Sequence, residues 1–364
     1  MNDPYFLARN NFQLLIDTLT RAGYSCIGPQ VREGAIVYGD MQNVSELPSG
    51  YNDQQAPASY QLQKTDSDRC FAWANGPQAL KPLLFSPRES LWSVSRDEAG
   101  RTVFKETLPE AKQIAVIGVR SCDLAAMAIQ DQHFHDDPYY QARRQKLLTV
   151  AVNCSHPAET CFCASTDDGP AAKQGFDLVL DELDEGFLLS AGSDKGEALL
   201  ASLSLNTASD QQHYLAGQQH LHAVQVQSRT MPDGNLNETL FSNLDHAQWD
   251  DIAERCLACG NCTMVCPTCF CHNEVEAPTL DGTQSSHLRE WDSCFTPGHT
   301  YIHGVVVRNE IKQRYRQWLT HKLGSWHDQF GRSGCVGCGR CVSWCPAGID
   351  LTEEIKAICG GEDE

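Results

Sequence analysis

Two cysteine runs with the same spacing lie toward the C-terminal end of this chain. Each run follows the pattern C-x2-C-x2-C-x3-C-P, so that one tight loop offers three thiols and a fourth comes just before a proline. The eight cysteines are Cys256, Cys259, Cys262, Cys266, Cys335, Cys338, Cys341 and Cys345. Bacterial-type ferredoxins hold iron-sulfur cubes with this spacing. The sequence therefore predicts two [4Fe-4S] clusters.

The fourth cysteine of each run is expected to bind the cluster of the other run, as it does in two-cluster ferredoxins. The first cluster would be bound by Cys256, Cys259, Cys262 and Cys345, and the second by Cys335, Cys338, Cys341 and Cys266. This exchange would tie together two segments that are distant in the chain. Small residues inside the loops suit a backbone that turns its N–H groups toward cluster sulfur.

Zinc and disulfide bonds are the alternative uses of so many cysteines. Structural zinc sites are usually built from two C-x2-C pairs, which the duplicated four-cysteine run does not match. Disulfides need an oxidising compartment. The N-terminal residues MNDPYFLARNNFQLL lack the pattern of a secretion signal, and no apolar run is long enough to cross a bilayer. We therefore expect a cytoplasmic protein without a membrane span.

The chain of 364 residues is strongly acidic, with a formal net charge of −19. Nucleic acids and anionic membrane surfaces require the opposite sign, so the charge disfavours both as partners. Partner proteins should present basic or mixed surfaces. The acidic composition also favours low cluster potentials, because nearby negative charge opposes the addition of an electron.

The N-terminal part has the pattern of an α/β domain. Residues 113–120 predict a buried strand, and Ser121 is available to cap the helix that follows. Residues 147–153 predict a second, parallel strand. The remaining expectations are a helix over 5–22, a strand over 35–41, a loop over 42–70, a hairpin over 177–192 and helical sequence over 193–222.

Four further cysteines are expected to converge on one edge of this sheet. Cys122 and Cys154 each follow a predicted strand, and sites in open α/β sheets gather at the carboxyl ends of strands. Cys161 and Cys163 follow in the string T-C-F-C. We predict a third [4Fe-4S] cluster on these four residues. Inert buried cysteines are one alternative, and a reactive thiol at Cys122, in the first turn of its helix, is the other.

The C-terminal part is expected to be a mostly helical two-cluster ferredoxin domain. Residues 305–323 have helical spacing, so helices are expected to surround the clusters. Asp245 is available to cap a helix that runs into Cys256. The predicted organisation is an α/β domain over 1–228, a linker over 229–245 and the ferredoxin-type domain over 246–364.

The insert between the runs contains three more cysteines, Cys269, Cys271 and Cys294, and the first two repeat the string T-C-F-C. Because three thiolates fall short of the usual four, we expect structural or supporting roles, with a small metal site as the alternative. The isolated cysteines Cys26, Cys70 and Cys359 are expected to be structural. A basic string forms either a solvated helix face or a docking patch for an acidic partner; its members are Arg308, Lys312, Arg314, Arg316, His321 and Lys322.

Several strings in the chain resemble a known family. The resemblance is carried by both cysteine runs and by the strings CDLAAMAIQD, NCSHPAETCFC, DDGP, CPTCFC and WDSC. In these features the chain resembles the β subunit of sulfhydrogenases, which are cytoplasmic NAD(P)-linked nickel-iron hydrogenases. It resembles the A subunit of anaerobic sulfite reductase equally well. The resemblance runs from about residue 81 to residue 350. It implies an electron-carrying subunit that lies between a flavin and [2Fe-2S] subunit, which handles NAD(P)H, and a terminal catalytic subunit.

The sequence contains no motif for substrate chemistry of its own. It has no G-x-G-x-x-G fingerprint, no Walker loop and no nucleophile elbow. We therefore predict a relay of single electrons, and the resemblance implies that it works within a cytoplasmic nickel-iron (sulf)hydrogenase. The alternatives are the electron-transfer subunit of an anaerobic sulfite reductase, a reductase subunit that binds flavin or a sulfur substrate, and a scaffold whose metal only holds the fold.

Overall fold

The computed structural model describes residues 4–78 and 80–360. Its largest element is a mixed eight-stranded sheet. In spatial order its strands are Asn206–Thr207, Tyr5–Ala8, Gly186–Ala191, Leu178–Glu182, Leu147–Val152, Ile114–Val119, Ser25–Arg32 and Ala35–Asp40. The two strands predicted around residues 113–120 and 147–153 pair in parallel, as expected.

The central strands are buried because helices cover both faces of the sheet. Leu147–Val152 is buried at every position, which is typical of a parallel strand between two layers. Helices Gln13–Arg21 and Asp194–Ser202 pack on one face. Helices Ser121–His133 and Pro138–Arg144 pack on the other. This layering leaves the carboxyl ends of the strands as one edge where loops can meet.

The other helices lie mostly in the second half of the chain. They are Lys81–Leu84, Asp210–Gln225, Asn237–Ser242, Gln248–Arg255, Asn261–Met264, Ile311–Thr320, Trp326–Phe330, Arg340–Ser343 and Leu351–Cys359, with a π-helix at His321–Ser325 and 3-10 turns at Arg9–Asn11, Val44–Glu46 and Pro297–Thr300. Within the described ranges, no helix combines the length and the apolar character needed to cross a bilayer.

A second, four-stranded antiparallel sheet joins the two halves of the chain. Its strands, in order, are His272–Pro278, Gln284–Trp291, Arg88–Arg96 and Thr102–Glu106. The insert between the cysteine runs therefore contributes a β-hairpin as well as helices. The expectation of a mostly helical cluster domain misses this hairpin, which is stable because it pairs with a strand nearly 200 residues earlier in the chain.

Two predictions for the N-terminal part are wrong. The expected helix over 5–22 begins only at Gln13, because Tyr5–Ala8 forms a strand against Gly186–Ala191. The expected loop over 42–70 contains a hairpin of Tyr51–Ala56 and Ser59–Lys64. Its turn has no glycine, since Ala58 itself adopts the left-handed φ of 60° that glycine usually supplies.

The predicted helix caps and one helix boundary also differ. Ser121 is the first residue of its helix and not the cap, and no side chain caps that helix. Asp245 is not at the cap position of the next helix, because that helix begins at Gln248. The Gln248 N–H donates to His246 Nδ1 at 3.1 Å. The helix expected over 305–323 begins at Ile311 and continues after Thr320 as a π-helix. The predicted hairpin over 177–192 is present.

The segment expected to be a linker, 229–245, is packed into the C-terminal core. It contains helix Asn237–Ser242, and Met231, Leu236 and Leu240 are buried. The same core includes Phe162 from the N-terminal half. The two halves of the chain therefore share buried surface.

A buried ion pair holds the second cysteine run against the α/β half. Arg340 lies between Cys338 and Cys341, and its guanidinium donates to both carboxylate oxygens of Asp123 at 2.6 and 3.0 Å. Each of the two side chains is 1% exposed. Arg340 Nε also donates to the Gly76 carbonyl at 2.9 Å. Such a pair fixes the positions of the two segments that carry it, because water cannot reach either charge to solvate it if the partner moves away.

Asp123→Asn is expected to lower the free energy of unfolding by about 3–5 kcal/mol, since it leaves the Arg340 charge buried without a counter-charge. The matched control is Asp97→Asn, which breaks the exposed ion pair with Arg101. The control should cost much less, because water and salt screen an exposed pair. Denaturant unfolding of the anaerobically purified proteins measures both changes, and equal losses would contradict the role given to the buried pair.

Candidate metal centres

The two cysteine runs fold into loops of the same shape. In the first run Ala258 and Gly260 have φ values of 50° and 74°. At the equivalent positions of the second run, Gly337 and Gly339 have φ values of 62° and 73°. These left-handed residues bend each loop around its thiols. Short helices, Asn261–Met264 and Arg340–Ser343, then carry the third cysteine of each run.

The first predicted thiol set lies around one cavity. The cavity is lined by all four members, Cys256, Cys259, Cys262 and Cys345, and is closed by Phe295, Tyr315 and Trp318. Burial, and after it the Cys256 and Cys345 thiols, raise the pKa of Cys262 well above its usual value. The fourth cysteine of the second run thus lies with the first run.

The second predicted set also has the exchanged arrangement. Burial raises the pKa of Cys341, and the thiols of Cys335, Cys338 and Cys266 raise it further. Burial likewise raises the pKa of Cys335 to about 12. The influence of these thiols on one another shows that the four sulfurs lie close together, as the ligands of one cluster must. Three members of this set belong to the second run, and the fourth, Cys266, belongs to the first run.

The third predicted set comes together at the carboxyl edge of the large sheet. Its members Cys122, Cys154, Cys161 and Cys163 are all buried. Burial, then the nearby Cys163 and Cys154 thiols, raise the pKa of Cys161. Cys122 has Cys163 and Cys338 as neighbouring thiols. Burial raises the pKa of Cys122, which does not fit the alternative of a reactive thiolate there.

The loop that carries Cys161 and Cys163 lies directly on the second cysteine run. Phe162 N–H donates to the Gly337 carbonyl at 2.8 Å. The buried hydroxyls of Thr160 and Ser343 are 2.8 Å apart. The contact leaves no space for side chains, because a Cβ on Gly337 would stand 2.5 Å from Cys163 Cα. The second and third sets are therefore in contact.

Polar groups that sequence reasoning missed surround these thiols. Asn75 Nδ2 lies 3.9 Å from Cys161 Sγ, and Gln227 Nε2 lies 3.6 Å from Cys163 Sγ. Hydrogen bonds to sulfur tune the potentials of iron-sulfur clusters. Nothing in the local sequence marks either residue, because each reaches its cysteine from a distant part of the chain.

The basic string is neither a uniform solvated face nor a continuous docking patch. Arg314 and Lys322 are buried. Lys322 Nζ donates to Thr268 Oγ1 at 2.7 Å and lies 3.5 Å from Cys266 Sγ. Burial opposes the charge of Lys322, but the Cys266 and Cys269 thiolates raise its pKa, so the ammonium stays protonated. The sequence places Lys322 in a string of surface charges, whereas its side chain is buried beside the predicted ligand Cys266.

The remaining cysteines divide into two groups. Cys26 and Cys70 are buried in the core of the large sheet, and Cys359 packs against the C-terminal core. Cys269, Cys271 and Cys294 line a cavity of their own. Across residues 4–78 and 80–360, no three His, Cys, Asp or Glu side chains are grouped as they would be around a single metal ion.

Gly337→Ala is expected to destabilise the protein more than Gly282→Ala. Both glycines have positive φ, but a Cβ on Gly282 would meet nothing within 4 Å. The control should therefore cost about 1–2 kcal/mol for its backbone conformation alone. Gly337→Ala should cost about 1–3 kcal/mol more, through the clash with Cys163. Denaturant unfolding measures the free energy of unfolding of both variants. Similar losses of this free energy would show that the contact between Gly337 and Cys163 is loose enough to accept a Cβ.

Comparisons with known proteins agree with this geometry. Residues 255–349 match the family described as a 4Fe-4S dicluster domain, which indicates two [4Fe-4S] clusters. The chain is 31% identical over 289 residues to the sulfhydrogenase 2 β subunit of Pyrococcus furiosus, across 77% of this chain and 83% of that protein. No solved structure gives a significant match. The chain therefore belongs to the family of sulfhydrogenase β subunits and carries a 4Fe-4S dicluster domain.

Proposed function

We propose that this chain relays single electrons through three [4Fe-4S] clusters in a cytoplasmic sulfhydrogenase-type complex. One neighbour would be a flavin and [2Fe-2S] subunit that handles NAD(P)H, and the other a nickel-iron catalytic subunit. A hydrogenase partner is proposed in preference to a sulfite reductase because the relative described above is a sulfhydrogenase subunit. When bound, the clusters supply reversible one-electron chemistry.

The contact between successive thiol sets is the observation that carries this proposal. Cys341 of the second set also lines the cavity of the first set. Cys338 of the second set packs with Cys122 and Cys163 of the third. The first set is thus in contact with the second, and the second with the third, in a row of three. A metal that only held the fold together would not need such a row.

The first set reaches the protein surface. Cys259 is exposed, and the neighbouring Leu257 is 66% exposed. The four cysteines of the third set, by contrast, are all buried. An electron-exchange partner would therefore approach at Leu257 and Cys259, where an exposed apolar residue offers contact area beside a ligand.

Cys345→Ser is expected to remove the cluster of the first run, although Cys345 belongs to the second. The anaerobically purified variant should lose about four irons per chain, and its EPR spectrum after reduction should match that of Cys259→Ser. Cys359→Ser is the control and should keep all its iron. A spectrum that matched Cys335→Ser instead would contradict the exchanged ligand sets.

Lys322→Met is expected to lower the midpoint potential of the second cluster by about 60 mV, a tenfold change in a one-electron equilibrium. The reason is that the buried ammonium beside Cys266 favours the more negative, reduced cluster. Lys312→Met is the control, because Lys312 pairs with the exposed Asp250. Redox titration followed by EPR measures both potentials. An unchanged potential in Lys322→Met would rule out this tuning role.

A further inference from the structure

We propose that Cys269, Cys271, Cys294 and His299 bind a fourth [4Fe-4S] cluster, which gives the relay a branch at the second cluster. This inference rests on the proposed function, since a branch needs a relay to serve. All four residues lie in the insert between the cysteine runs, outside the three sets described above.

The four side chains line one cavity of about 150 Å³. A single water needs only about 10–15 Å³ by the same measure, so the space suits a group much larger than one ion. Phe270, Trp318 and Trp326 supply apolar walls, and the rest of the lining is polar: Arg308, Gln317, His321 and Lys322. A cavity with sulfur donors on an apolar wall is the environment in which a cube is shielded from water.

The string T-C-F-C occurs twice, and both copies are held against the second cysteine run. Thr160 of the first copy bonds to Ser343, which follows Cys341. Thr268 of the second copy donates to the carbonyl of Gly334, which precedes Cys335. Both threonines are 0% exposed. The same four-residue unit thus holds one pair of cysteines near Cys341 and the other pair near Cys335.

His299 is oriented as a metal ligand usually is. Its Nδ1 lies 2.7 Å from Asp292 Oδ2. A carboxylate on one ring nitrogen fixes the imidazole and leaves the other nitrogen for a metal. The His299 side chain and Cys271 line the same cavity, so the imidazole lies beside the thiols. His321, on the same cavity, is not available in this way, because its Nε2 accepts from Trp326 Nε1 at 3.0 Å.

The proposed site adjoins the second cluster. The Cys269 thiol lies beside the thiol of the predicted ligand Cys266. One electron can therefore pass between the two clusters, oxidising the donor by one unit and reducing the acceptor by one, with no bond or proton transferred. Cys271, Cys294 and His299 are only half-buried, so the branch leads toward the surface.

Metal and sulfide analysis of the anaerobically purified full chain tests the proposal. Cys294→Ala and His299→Ala should each lose about four irons and four sulfides per chain relative to the unaltered protein. Cys359→Ala, another half-buried cysteine, should lose none. His299→Cys should keep the iron and shift the cluster potential downward, because thiolate in place of imidazole lowers it.

Two outcomes would overturn the proposal. Iron unchanged in both Cys294→Ala and His299→Ala would leave the three thiols as structural residues, and loss of zinc in place of iron would make this a zinc site. A circular dichroism spectrum like that of the unaltered protein separates cluster loss from misfolding. An unaltered protein without any iron would instead refute the relay itself, so the two failures are distinguishable.

Discussion

The close contact between the loop 160–163 and the second cysteine run is the constraint on which the rest of the structure depends. Ala258, in the first run, shows that a side chain is compatible with the left-handed turn of such a loop. Gly337 occupies the same place in the second run, where a Cβ would strike Cys163. Glycine is therefore required there by the contact with the α/β half as well as by the backbone.

Buried positive charge surrounds the second run, although the chain as a whole is acidic. Arg340 lies against Asp123 and next to Cys338, and Lys322 lies beside Cys266. Lys81, with Nζ 3.9 Å above the Trp291 ring, is the third buried cation in this region. The net charge of the whole chain therefore does not describe the charges around the second set. Close to the second set, the Lys322 ammonium favours the reduced state of a bound cluster, whereas the Arg340 charge is balanced by Asp123.

The features predicted well from sequence are those encoded by local spacing. The cysteine runs define the dicluster domain, and the apolar runs around Ile114 and Leu147 define two parallel strands. The strand Tyr5–Ala8 was not predictable in this way, because its partner lies about 180 residues away. Lys322 was misjudged for a similar reason: its charge is visible in the sequence, but the thiol it faces belongs to another segment.

The most direct test of the account is the EPR spectrum of the reduced full chain, compared between the unaltered protein and Cys161→Ser. If the third set binds a cluster in contact with the second, the unaltered protein should show broadening from magnetic interaction between the two clusters. Cys161→Ser should lose that broadening together with about four irons per chain. An unchanged spectrum and iron content in Cys161→Ser would contradict the account and confine the relay to the dicluster domain.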